Sequence, residues 1–71
     1  MNIRLLGAML GKVQPVIDFV YNGEHRKVRV EAVGINNKTK VPYFTGFDYN
    51  RNAYRTFSEN ALNHIEHVEL A

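Results

Sequence analysis

The sequence predicts a mainly β domain, a small barrel preceded by a short helix. Apolar and polar residues alternate with a period of two in several short runs, and turn-forming residues separate those runs. Hydrophobic residues fill 45% of the 71 positions, with four Phe and four Tyr, too rich a content for a disordered segment.

Residues 1–14 read as the helix. Leu6, Met9, Leu10 and Val13 recur at i, i+3, i+4 and i+7, the stripe of one helical face. Pro15 ends that pattern, because the residue before a proline is pushed out of the helical region. From Val16 the period changes: Ile17, Phe19 and Tyr21 alternate with Asp18 and Val20, as along a half-buried strand. Asn22-Gly23 is a hairpin turn signal. The next run sets Val28, Val30 and Ala32 on one face and Lys27, Arg29 and Glu31 on the other. Asn36-Asn37-Lys38-Thr39 makes a second turn, with asparagine expected to take the positive φ that tight hairpins need. A third strand follows from Val41 to Asp48, where Gly46 marks a bend or a close backbone approach in a curled sheet. Tyr49 to Asn52 forms the third turn, and Ala53 to Phe57 the fourth strand.

The last segment fits two readings. Ser58 can cap a helix whose stripe is Ala61, Leu62, Ile65 and Val68. Alternatively, residues 59–63 make one helical turn and His64 to Leu70 return as an edge strand that closes the sheet.

The order of these elements, and several residues within them, resemble the WYL domain family, bacterial and phage modules on an SH3-like or Sm-like barrel. The likeness covers roughly residues 5 to 70. A helix leads into Val16-Ile17-Asp18-Phe19-Val20-Tyr21, similar to the family's first strand, which ends in an aromatic. Pro42-Tyr43-Phe44-Thr45-Gly46-Phe47-Asp48 stands where the name-giving Trp-Tyr-Leu run sits, Arg55-Thr56-Phe57 where the family has Arg-x-Phe, and Leu62 to Leu70 matches the final segment. The length, with no repeat or linker, reads as one domain over residues 1–71; the resemblance implies a five-stranded barrel over 16–70 and selects the turn-plus-strand reading of the last segment. It also implies a regulatory barrel that senses ligands or single-stranded nucleic acid. Family members usually carry a DNA-reading helix-turn-helix ahead of the barrel, for which this chain has no room. Pro42 replaces the Trp, Phe44 replaces the Leu, and Ala61 and Ser58 stand where the family often has Arg. These departures bear on the ligand pocket more than on the fold.

Composition narrows the chemistry. The absence of cysteine removes disulfide staples, thiolate zinc sites and thiol nucleophiles, and it fits a reducing, cytoplasmic setting. The apolar run Leu5 to Leu10 is interrupted by Gly7 and is too short for a membrane span, so no membrane partner is expected. A net charge of +2, with nine basic residues spread among seven acids, permits nucleic-acid binding without demanding it. Asp48, Asn50, Asn52 and Glu59 match positions of a calcium loop, but Ala53 sits where that loop needs glycine and Arg51 and Arg55 add positive charge, so a polar hairpin is expected instead. His25, His64 and His67 read as surface histidines and not as a zinc site. No nucleophile motif or phosphate loop is present, and neither an enzyme nor a cofactor is expected.

What remains is a set of cationic and aromatic side chains. Arg29, Tyr43, Arg55, Arg51 and Arg26 are the candidate residues for nucleic acid or a nucleotide-like anion, with Tyr54 and Lys27 nearby. Tyr43 and Arg55 fit a structural role equally well, and for Arg26, Lys27 and Arg51 a solvated surface is the simpler reading. A second functional reading is a small phage or mobile-element module that docks on a host protein. A homodimer that buries Leu5, Leu6, Met9 and Leu10 of the helix is compatible with either.

Overall fold

The computed structural model describes residues 1–70. Helix α1 (Ile3–Leu10) is followed by strands β1 (Pro15–Tyr21), β2 (Glu24–Ile35), β3 (Pro42–Asp48) and β4 (Ala53–Ser58). A 3₁₀ segment (Glu59–His64) and strand β5 (Ile65–Leu70) complete the chain. The fold is mainly β, as expected, with the short helix at its N-terminal end.

The five strands form one antiparallel sheet in the order β4-β3-β2-β1-β5. It is strongly curled. In a flat sheet β1 and β4 would lie about 14 Å apart, three strand spacings. Yet the rings of Phe19 on β1 and Phe57 on β4 are 5.2 Å apart, edge to face, and Phe44 on β3 stacks on Phe57 at 5.4 Å. The three Phe rings, with Ile17, Val28 and Val30, form the core inside that curl. Leu6 of α1 and Ala61 and Leu62 of the 3₁₀ segment complete it. Among the described residues no ladder joins β4 to β5, so both strands keep a free edge.

Gly46 permits a close approach of two strands. A Cβ at this position would lie 2.3 Å from the Arg29 carbonyl oxygen, so β3 approaches β2 more closely than any side chain allows. At the first hairpin Asn22 and Gly23 take φ of 52° and 76°, the paired positive values of a type I′ turn.

Three local expectations need correction. Ala32 does not join Val28 and Val30 in the core: the β2–β3 ladder shifts register between Val30 and Ala32, and the extra residue turns Ala32 to solvent. In the second turn Lys40, not an asparagine, takes the positive φ of 61°. Asn36 acts through its side chain instead, accepting from the amides of Lys38 and Thr39 at 2.9 and 3.0 Å. The helix stripe, finally, is not free for a second copy. Leu6 is fully buried in the chain's own core and Ile3 and Leu10 pack against it, leaving Leu5 as the exposed large apolar side chain of α1 proper, while Val13 lies beyond the helix end.

The 3₁₀ segment and β5 match the turn-plus-strand reading. Ser58 makes no side-chain cap, and β5 pairs with the free edge of β1. Glu59 has a part that local pattern does not reveal: its carboxylate accepts from the Ile3 amide at 2.8 Å, closing the first turn of α1 from the far end of the chain.

Candidate functional site

The alternation along each strand divides the sequence-derived residues between the two sides of the sheet. Phe44, Gly46 and Asp48 face inward on β3, so Tyr43, Thr45 and Phe47 face outward. Phe47 pairs across the ladders with Arg29 on β2 and with Tyr54 on β4, which puts all three on the outer face.

There they form one cluster. The Arg29 guanidinium lies 5.5 Å from the centre of the Phe47 ring and 5.9 Å from that of Tyr49. Phe47 meets Tyr49 edge to face at 5.4 Å and Tyr54 at 5.2 Å. Tyr54 is 65% exposed and Tyr49 45%, so two aromatic side chains reach solvent around a part-covered Phe47. The Tyr49 amide bonds the Lys27 carbonyl at 2.9 Å, and Asn50 accepts from the Lys27 amide at 2.8 Å, which pins the third turn beside β2. Lys27 is exposed beside this turn and makes no ion pair among the described residues.

Arg29 is held in place by its neighbours. It donates to Glu31 at 3.0 Å and to the Tyr49 hydroxyl at 3.3 Å. The Glu31 bond holds its pKa above the ordinary arginine value; partial desolvation opposes that effect and Tyr49 adds to it. The guanidinium is therefore a fixed cation lying over aromatic rings, partly neutralised by Glu31.

The other candidates lie elsewhere. Arg26 is the clearest correction, because it is 3% exposed and donates to Asp48 at 3.0 Å on the inner side of the sheet. A buried guanidinium already paired with a carboxylate is not available to an anion in solvent. Arg55 also lies on the inner side, its guanidinium 6.0 Å from the Phe57 ring. Tyr43 is on the outer face, but about 13 Å along β3 from Phe47 by strand rise. Its ring lies so close over Gly34 that a Cβ there would meet the hydroxyl at 2.6 Å. Arg51 is exposed in the third turn, with Glu24 at 3.6 Å. Of the five, Arg29 alone belongs to the aromatic cluster.

No family model, curated protein or solved structure matches this chain. The site therefore stands on its own geometry.

The calcium-like pattern resolves into hairpin chemistry. Asp48 accepts from the amides of Asn50 and Arg51 at 2.9 and 3.3 Å while it pairs with Arg26, so its oxygens are spent on the turn and the ion pair. A groove of about 390 Å³ opens beside Lys27 and Asn50, lined also by Asp18, His25, Glu66 and His67 and by the little of Arg26 that reaches the surface. His25 meets Glu66 there at 2.8 Å, and the lining mixes both signs of charge. Among the described residues no three His, Cys, Asp or Glu side chains converge to hold a metal, and no helix is long and apolar enough to cross a membrane.

Sequence reasoning missed Phe47 and Tyr49. Their spacing of two signals a shared face, and the four-residue turn implies the Phe47–Tyr54 pairing, but only the sheet register shows that Arg29 is the third partner.

Proposed function

We propose that the chain is a non-enzymatic binding module of the WYL-like type, which recognises single-stranded nucleic acid or a nucleotide-like anion on the outer face of its sheet. The observation that carries the reading is the Arg29 guanidinium lying over both Phe47 and Tyr49, with Tyr54 on the far side of Phe47. Exposed aromatic faces accept bases of any sequence by stacking, at about 1–3 kcal/mol per base, while neighbouring cations meet the phosphates. Lys27, exposed on the same side of β2 as Arg29, is suited to that second role. The function is occupancy without turnover, in keeping with a regulator of transcription.

Fluorescence anisotropy with short labelled single strands tests it. Binding is expected for single strands over duplex, weakening with added salt as phosphate contacts release counterions. Absence of binding to any single strand at low salt, or binding indifferent to salt, overturns the reading.

A host-protein partner is the alternative, since Tyr and Arg are also the side chains that dominate protein interfaces. Capture of one protein from extract after nuclease treatment, with no oligonucleotide binding, favours that alternative.

A further inference from the structure

We propose that the chain pairs with a second copy of itself through the free edge of β4, antiparallel, in the register that sets Thr56 opposite Thr56. β4 and β5 are the two ends of the sheet, and among the described residues the outer edge of neither is hydrogen-bonded to another element. The two edges meet solvent differently. β5 carries Glu66, His67 and Glu69, and its ladder to β1 shifts register between Asp18 and Phe19, with Glu66 as the extra residue. Charge and a bulge are the devices that blunt an edge against pairing. β4 has neither in that form: it pairs with β3 without a shift from Ala53 to Ser58, and its one charge, Arg55, lies over the Phe57 ring. It presents a regular row of unpaired N–H and C=O groups on a segment rich in strand-forming residues, with the most exposed aromatic of the chain, Tyr54, upon it.

The side chains of β4 favour its own copy and select the register. A two-fold axis normal to the sheet pairs the strand with itself, the commonest closed symmetry, and keeps both outer faces on one side. Outward side chains then meet outward side chains, so the axis falls on a single residue. Centred on Arg55, it sets two guanidinium groups directly opposite, which repels. Centred on Tyr54, it pairs little more than residues 53–55, because Asn52 has already turned away at φ 53°. Centred on Thr56, it sets Thr56 against Thr56, Tyr54 against Ser58 and Arg55 against Phe57. This register sets no like charges opposite each other, and the pair at its centre is two exposed threonines. The two sheets become one, with both aromatic clusters on the same face.

The chain has no cysteine, so a single introduced thiol reports only contacts between molecules. With mild oxidant, Thr56→Cys is expected to form a covalent dimer, because opposed residues of an antiparallel pair fall within disulfide reach, whereas Thr39→Cys in the exposed second turn is not. Sedimentation equilibrium of the unmodified chain is expected to show a concentration-dependent shift from 8.2 kDa to twice that mass. Thr56→Lys, which sets like charges opposite each other at an exposed position, is expected to weaken the dimer tenfold or more, with an unchanged circular dichroism spectrum. A chain that stays at monomer mass at every concentration overturns the proposal. So does a dimer that Thr56→Lys leaves intact, or cross-linking no faster at Thr56→Cys than at Thr39→Cys.

Discussion

Arg26 and Asp48, 22 residues apart, meet at 3.0 Å beneath the sheet with 3% and 0% of their side chains exposed. Asp48 also holds the third turn through the amides of Asn50 and Arg51, while the Nε of Arg26 finds no partner. The pair is thus asymmetric. Breaking a buried ion pair costs about 3–5 kcal/mol, because the remaining charge stays uncompensated. Asp48→Ala, which also releases the turn, is expected at or above the top of that range, and Arg26→Met below it. Urea denaturation of the two variants checks the order; equal midpoints would contradict it.

Gly46 and Gly23 make a contrasting pair. A Cβ at Gly46 meets the Arg29 carbonyl oxygen at 2.3 Å and Val28 Cγ1 at 2.8 Å, and backbone cannot yield cheaply. Gly46→Ala is expected to cost more than about 2 kcal/mol, in the range of overpacking and strain. Gly23→Ala meets nothing within 4 Å, and its cost is the positive φ alone, about 1–2 kcal/mol. Thermal unfolding ranks them, and a Gly46→Ala midpoint above that of Gly23→Ala would show that the β2–β3 approach is softer than the geometry implies.

Phe57 touches Phe19, Phe44 and Tyr21 at ring-centre distances of 5.2, 5.4 and 5.2 Å, so it links three strands. Phe57→Ala is expected to cost about 3–5 kcal/mol. For a 71-residue domain that is most of its stability. Loss of the dispersed amide spectrum in solution NMR is the expected result.

On the outer face, Tyr54→Ala and Tyr49→Ala remove exposed rings and leave the core untouched. Each is expected to weaken single-strand binding by about 1–3 kcal/mol while shifting the melting midpoint little. Arg55→Ala and Tyr43→Ala, which lie off the cluster, are expected to change binding less than either. If Arg55→Ala weakens binding more than Tyr54→Ala, the site belongs on the inner side of the sheet.

Glu31 competes with any anionic ligand for Arg29. Glu31→Gln is expected to tighten oligonucleotide binding by about two- to fivefold, the scale of an exposed ion pair. Lys27→Ala is expected to flatten the salt dependence by about 0.7, one phosphate contact on a single strand. Binding isotherms at several salt concentrations measure both; unchanged affinity for Glu31→Gln would place the phosphates away from Arg29.

Much of the architecture is legible locally. The alternation of Ile17, Phe19 and Tyr21, the Asn22-Gly23 turn and the close approach at Gly46 depend on neighbours in sequence or on the residue type itself, and each is present as read. The bulge that turns Ala32 outward is different. It comes from how β2 pairs with β3, where Glu31 is left without a partner, and no pattern within β2 alone contains it. Arg26 shows the same limit: between His25 and Lys27 it reads as one more surface cation until Asp48, in another strand, is brought beneath it.

The residues of this chain alone determined the period of each segment, the places where it turns, and a net chemistry without thiols and with aromatics interleaved among arginines. Tertiary structure decided which side of the curled sheet each cation occupies, and so which arginine can meet a ligand. The physical reason is that a side chain's facing is set by parity along the strand, whereas its partners are set by register between strands. Register is a property of the assembled sheet.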